Sequence, residues 1–173
     1  MSTKKLTRSA VLLALALVFQ SLRLIPFIGN WPNQSLLIGS LVNLVLVIAG
    51  IIVGPFAAAI ISIITPVVAF MQGFLPNPLI IIPIAAGNLV LSLIVAYFYK
   101  KNKYISLAVG AVLKWVVISN VATYVIKSFV NLPEQKINVL IQSMGIPQLI
   151  TAVIGCVLAL LITETLLKAL KEN

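Results

Sequence analysis

The chain has 173 residues, 61% of them hydrophobic and 9% charged, with a mean hydropathy of +1.18. A soluble domain carries roughly 25% charged residues, so this composition excludes a water-soluble globule. The net charge of +9 comes from 12 Lys and Arg against 3 acids; the basic residues sit mostly at the ends of apolar runs, where they set membrane orientation, and this excludes a nucleic-acid-binding role.

The apolar runs are long and lack the period-2 alternation of a membrane barrel, so the spans are helices. The expected fold is all-α and integral to the membrane, a bundle of six transmembrane helices forming one domain over residues 1–173. The first helix is predicted over 6–28, behind Lys4, Lys5 and Arg8. Its start resembles a signal peptide, with Ala14-Leu15-Ala16 like a cleavage site. The apolar run continues to Leu22 and five spans follow, so it reads as a retained helix. Ala10 and Ala14, four apart, form a stripe that lets another helix approach closely, either within the bundle or on a separate membrane partner. Leu17 and Ser21 extend that stripe within about 60° on a helical wheel, whereas Ala16, Gln20 and Arg23 lie on a different face. That second face is expected to turn Gln20 and Arg23 toward a cavity in the outer half.

A loop over 29–34 carries Trp31, whose ring can stack on a ligand and whose N–H can donate to one. A Trp at this depth is also ordinary interfacial belt material. The second helix is predicted over 35–53, with Gly39, Gly50 and Gly54 as close-packing positions and Asn43 either joining helices or touching ligand. Gly54-Pro55 turns the chain into the third helix, 55–72, which contains Pro66 as an expected kink. The loop over 73–78 leads to the fourth helix, 79–99, which holds Pro83 and Asn88. Lys100, Lys101 and Lys103 mark the next loop.

The fifth helix, 105–130, places Lys114 roughly 16 Å from Lys103, near the midplane and at the depth of Asn88. Two accounts fit Lys114: a structural hydrogen bond to Asn88, or the floor of a site for an anionic group. Asn120, Thr123, Tyr124 and Lys127 fall within about 100° on the wheel and are expected to line a cavity in the outer half. A loop from Asn131 to Ile146 has room for a short interfacial helix. The sixth helix, 147–170, carries Gln148, Thr151, Gly155 and Ala159 on one stripe. Pro147 opens that helix, so free backbone N–H groups there can face an anion.

With both termini cytoplasmic, the inner side holds Lys4, Lys5, Arg8, Lys100, Lys101, Lys103, Lys168 and Lys171. Arg23, Lys114, Lys127 and Lys136 remain for the interior and the outer side, which fits the positive-inside bias. The chain has no His and no acid before Glu134. This excludes a metal-dependent or Ser/His membrane hydrolase. No GxxxxGK[ST] motif occurs, so the chain hydrolyses no nucleotide of its own. Neither enzyme activity nor a cofactor or metal is expected. Glu164 is read as an i,i+4 partner of Lys168. The lone Cys156 excludes an intrachain disulfide.

Ala10-Val11-Leu12-Leu13-Ala14 has the form AxxxA, and it stands with the runs Leu37 to Val67 and Pro147 to Gly155 in a six-helix chain of this size. In these features the chain resembles the substrate-binding S components of energy-coupling factor (ECF) vitamin transporters. The resemblance implies a subunit that binds a vitamin or related micronutrient near the outer surface of the bacterial cell membrane. It further implies docking, through Ala10 and Ala14, on a transmembrane coupling protein joined to two ATPases. The residues nominated for the substrate are Trp31, Asn120, Tyr124, Lys127 and Gln148, with Arg23, Asn88 and Lys114. Basic residues without nearby acids favour an anionic or neutral polar substrate, such as pantothenate, over a cation such as thiamine. The other readings are an uncoupled facilitator and a structural subunit with no ligand.

Overall fold

The computed structural model describes residues 2–130 and 132–171, with the side chain of Lys171 outside that description. Asn131, where the predicted fifth loop begins, also lies outside the described residues. Among the described residues there are eight α-helices and no strand. They are α1 (Thr3–Ser21), α2 (Pro26–Gly29), α3 (Gln34–Ile52), α4 (Pro55–Met71), α5 (Ile81–Phe98), α6 (Lys103–Phe129), α7 (Glu134–Ser143) and α8 (Ile146–Lys171). Among the described residues, five helical segments are long and apolar enough to cross a membrane. The 17-residue α4 is apolar as well, and at about 26 Å it sits at the lower limit for a span.

The first predicted helix is shorter than expected and ends in two pieces. Following Ser21 come a 3-10 turn (Leu22–Leu24) and the four-residue α2. The cause is Pro26: the residue before a proline is pushed to extended backbone, and Ile25 has φ −78° and ψ 118°. Similarly, Pro78 opens a 3-10 turn (Pro78–Ile80) before α5, capped by Asn77, whose Oδ1 accepts from the Leu79 N–H at 2.9 Å. The interfacial helix expected in the fifth loop is α7. At the tight corner between α3 and α4, Gly54 takes φ 117°, a conformation that favours glycine, and Pro55 occupies the first turn of α4.

The bundle is built around α3, which packs on α1, α4, α5 and α8. Every residue from Asn43 to Gly50 is buried, as expected of a helix apolar on all sides and covered on all sides. One core cluster joins α3, α5, α6 and α8 through Val47, Leu91, Val95, Ala111 and Ala159. A second joins α1, α3 and α4 through Ala16, Val45, Ala49, Ala58 and Ile61. A third, at the end away from Lys100–Lys103, joins Ile80 to Ile118, Ala122 and Ile126 of α6 and to Met144 after α7.

Glycines set how near the helices come. A Cβ on Gly155 would lie 2.5 Å from Asn43 Cβ and 2.9 Å from Ser40 O, so α8 rests almost on the backbone of α3. A Cβ on Gly87 would lie 2.1 Å from Cγ1 of Ile118, which brings α5 equally close to α6. These approaches carry the polar residues of four helices to one place.

Candidate functional site

In the half of the bundle away from Lys100–Lys103, a cavity of about 230 Å³ is enclosed by parts of α1, α3, α4, α5, α6, α7 and α8. Its polar wall includes Gln20, Arg23, Asn43, Thr65, Asn88, Lys114, Gln148 and Thr151; Phe74, Leu75 and Pro76 from the α4–α5 loop line it as well. A larger cavity of about 540 Å³ lies at the opposite end, around Lys100, Lys101, Lys103 and Tyr104. The lysines there are on or near the surface, and Lys103 is tied up with Glu164. Of these two, the first collects the buried polar side chains among the described residues, and these are costly in a membrane protein unless they serve a watery or ligand-filled space.

Lys114 organises the deep end of this cavity. It is 2% exposed, and its Nζ donates to Oδ1 of Asn43 and, at 2.7 Å, to Oδ1 of Asn88. Nδ2 of Asn43 in turn donates to Oγ1 of Thr151 at 3.2 Å, and the Thr151 hydroxyl donates to the Gln148 carbonyl at 3.1 Å. One network therefore crosses α3, α5, α6 and α8. The hydrogen bond of the first sequence account, from Lys114 to Asn88, is present, and Lys114 also lines the cavity. At the other end, Arg23 lies over the Phe74 ring, 5.2 Å from its centroid, and its Nε is buried without a hydrogen-bond partner. Gln20, 5% exposed, donates to Oε1 of Gln72, whose Nε2 donates to the Ser21 hydroxyl at 2.8 Å. This ties the end of α1 to the end of α4.

The structure thus brings Arg23, Asn88, Lys114 and Gln148 together and leaves Trp31, Asn120, Tyr124 and Lys127 outside the cavity. The expectation that the Asn120 stripe lines the cavity is corrected. The buried face of α6 is Lys114, Ile118, Ala122 and Ile126, packed toward Ile80 and Met144, and this rotates Asn120, Tyr124 and Lys127 outward. Asn120 satisfies its amide on its own helix, donating to the Val116 carbonyl at 2.7 Å. Tyr124 is 66% exposed and meets Phe129 edge-on. Trp31 is 52% exposed on its loop. The direct partner of Glu164 is Lys103, which it hydrogen-bonds across the α6–α8 end, while the expected partner Lys168 acts on it only through its charge.

Several cavity residues were not singled out from sequence: Thr65 of α4, Phe74 of the following loop, and Ser143 and Met144 at the end of α7. Thr65 had a legible signal, since it precedes Pro66 in an otherwise apolar helix. Ala10 and Ala14 lie on the exposed side of α1 with Val11, Leu15 and Val18, whereas Ala16 and Gln20 face the bundle.

Over residues 4–167 the chain matches the profile of the family described as ECF transporter, substrate-specific component. It belongs to that family. Neither a curated protein nor a solved structure matches it. An S component is a multi-pass membrane protein that binds a small molecule and works with a coupling protein and ATPases. This chain is the substrate-specific subunit of such a transporter. In this S component the cavity between Arg23 and Lys114 is the candidate site for the small molecule.

Proposed function

We propose that this S component captures a vitamin or related micronutrient in the cavity between Arg23 and Lys114, as one six-helix binding domain over its whole length. It then delivers the cargo inward by docking through Ala10 and Ala14 on a coupling protein driven by two ATPases. The observation that supports this reading best is the division of α1. Its exposed side presents small residues, and its buried side brings Gln20 to the cavity wall. Small residues let a partner helix come close, and van der Waals packing then holds the pair where lipid supplies no hydrophobic drive. The cytoplasmic membrane of a bacterium, with both termini inside, fits the excess of lysines at the α1, α5–α6 and α8 ends. The chain supplies no nucleotide-binding motif, so ATP hydrolysis belongs to the partners. In this scheme Arg23, Asn88, Lys114 and Gln148 serve the substrate. Trp31, Asn120, Tyr124 and Lys127 would join it only on a rearrangement of the outer loops and α6.

The experiment substitutes Ala10→Trp and Ala14→Trp in cells that also express a coupling protein and ATPases. A bulky ring on the stripe blocks helix approach without touching the cavity. Uptake is expected to fall to background, the coupling proteins are expected to stop co-purifying, and binding by the isolated subunit is expected to persist. Uptake that survives both substitutions overturns the docking claim.

A further inference from the structure

The cavity gathers cations and supplies no anion to meet them. Among the described residues its wall holds Arg23 and Lys114 and no carboxylate. The described acids lie elsewhere: Glu134 is exposed at the start of α7, and Glu164 is committed to Lys103 at the far end. A buried ammonium without a counter-charge is expensive, because the lost hydration is not replaced by an opposite charge. Around Lys114 the replacement is partial. Its two partners are amide oxygens, those of Asn43 and Asn88, which accept hydrogen bonds and bring no charge. An ammonium has three N–H groups, so one is left for the cavity that Lys114 lines. The Asn43 oxygen is held in place because its amide nitrogen is bonded to Thr151. At the opposite end of the same cavity Arg23 keeps a buried Nε without a partner.

We propose that the substrate is a small organic carboxylate whose anionic group is seated on Lys114 between Asn43 and Asn88, with Arg23 adding positive potential at the outer end. This rests on the reading of the cavity as the substrate site. The size restricts the occupant to a small molecule, since about 230 Å³ lies below the roughly 300–1,000 Å³ of drug-sized ligand pockets, and the single charge of a carboxylate matches the one ammonium that has no counter-charge.

The test uses the full chain purified in detergent. Native mass spectrometry identifies any retained small molecule. Binding is then measured for acids paired with uncharged counterparts: nicotinate with nicotinamide, and pantothenate with pantothenol. The retained molecule is expected to carry a carboxylate, and the acid of at least one pair is expected to bind about 100-fold tighter than its counterpart. In Lys114→Gln that preference should collapse, the acid weakening far more than the uncharged compound until the two bind alike. Loss of a merely structural lysine would weaken both alike. Arg23→Gln, away from the core network, should reduce the preference in part, and it keeps the test open if Lys114→Gln does not fold. A retained molecule that is neutral or cationic, or equal weakening of acid and counterpart in Lys114→Gln, overturns the carboxylate seat and leaves the transport reading standing. A chain that retains nothing and supports no uptake overturns both.

Discussion

At the scale of single residues, Asn43 shows how position decides the worth of a polar group. It is 2% exposed, it accepts from Lys114 through Oδ1, and it donates to Thr151 through Nδ2. Asn43→Leu removes an acceptor from a buried ammonium, a loss of about 1.5–3 kcal/mol for a hydrogen bond to a charged group. The thermal midpoint in detergent should drop, and binding should fail with it. Asn120→Leu, by contrast, changes an exposed amide bonded only to its own helix; stability should stay within about 0.5 kcal/mol and binding should be unaltered. Scanning fluorimetry on the two variants side by side checks this, and equal destabilisation would refute the contrast. The depth of Lys114 and Asn88 was legible because both can be counted along a helix from the same charged loop. The direction in which α6 faces was not read correctly. Polar residues at 120, 123, 124 and 127 suggested an inward stripe, yet the buried stripe is Lys114, Ile118, Ala122 and Ile126. The run of i,i+4 positions from Lys114 through Ile118 and Ala122 to Ile126 was the better guide, because Asn120, Tyr124 and Lys127 lie in the outer part of the helix, where long polar side chains can reach the interface instead of the interior.

At the scale of elements, the helices were readable and their ends only partly so. Apolar length fixes that a helix exists, whereas its termini depend on local breakers. Pro26 cuts the first helix short, and Pro78 adds a 3-10 turn before α5. Which helices touch is decided by glycines whose partners lie far along the chain, so sequence spacing alone does not name them. Two of these contacts lead to opposite outcomes under the same mutation. In Gly87→Ala the new Cβ meets chiefly the side chain of Ile118, at 2.1 Å from Cγ1 and 2.6 Å from Cδ1, with the Lys114 carbonyl oxygen farther off at 3.2 Å. Overpacking of this kind costs about 1–3 kcal/mol, and Ile118→Ala in the same chain should recover part of it by removing the obstacle. In Gly155→Ala the Cβ meets backbone atoms as well, Leu44 N and Ser40 O, each at 2.9 Å. No side-chain truncation relieves that contact. The α3–α8 pair must separate, and the Asn43–Thr151 bond that it carries should be lost along with ligand binding. A double-mutant cycle on thermal midpoints tests the first claim, and would reject it if Gly87→Ala with Ile118→Ala were no more stable than Gly87→Ala.

At the scale of the whole molecule, the two ends of the bundle are chemically unequal, and the proposed import depends on which of them faces the cytoplasm. One end holds Lys100, Lys101 and Lys103 beside the termini of α1 and α8; the other holds the cavity, with Arg23 in its wall. A positive cytoplasmic end agrees with the rule for short loops, and in that proposed orientation the cavity faces outward. The chain suits a labelling test of this orientation, because its lone cysteine, Cys156, is buried at 5% exposure and gives little background. Lys101→Cys and Lys136→Cys each place a thiol at an exposed position, in the α5–α6 loop and in α7 respectively. A membrane-impermeant maleimide should label Lys136→Cys in whole cells and Lys101→Cys only in inverted vesicles. Labelling of Lys101→Cys from outside would turn the bundle over. The cavity would then open to the cytoplasm, and capture from the medium would be lost as a function for it.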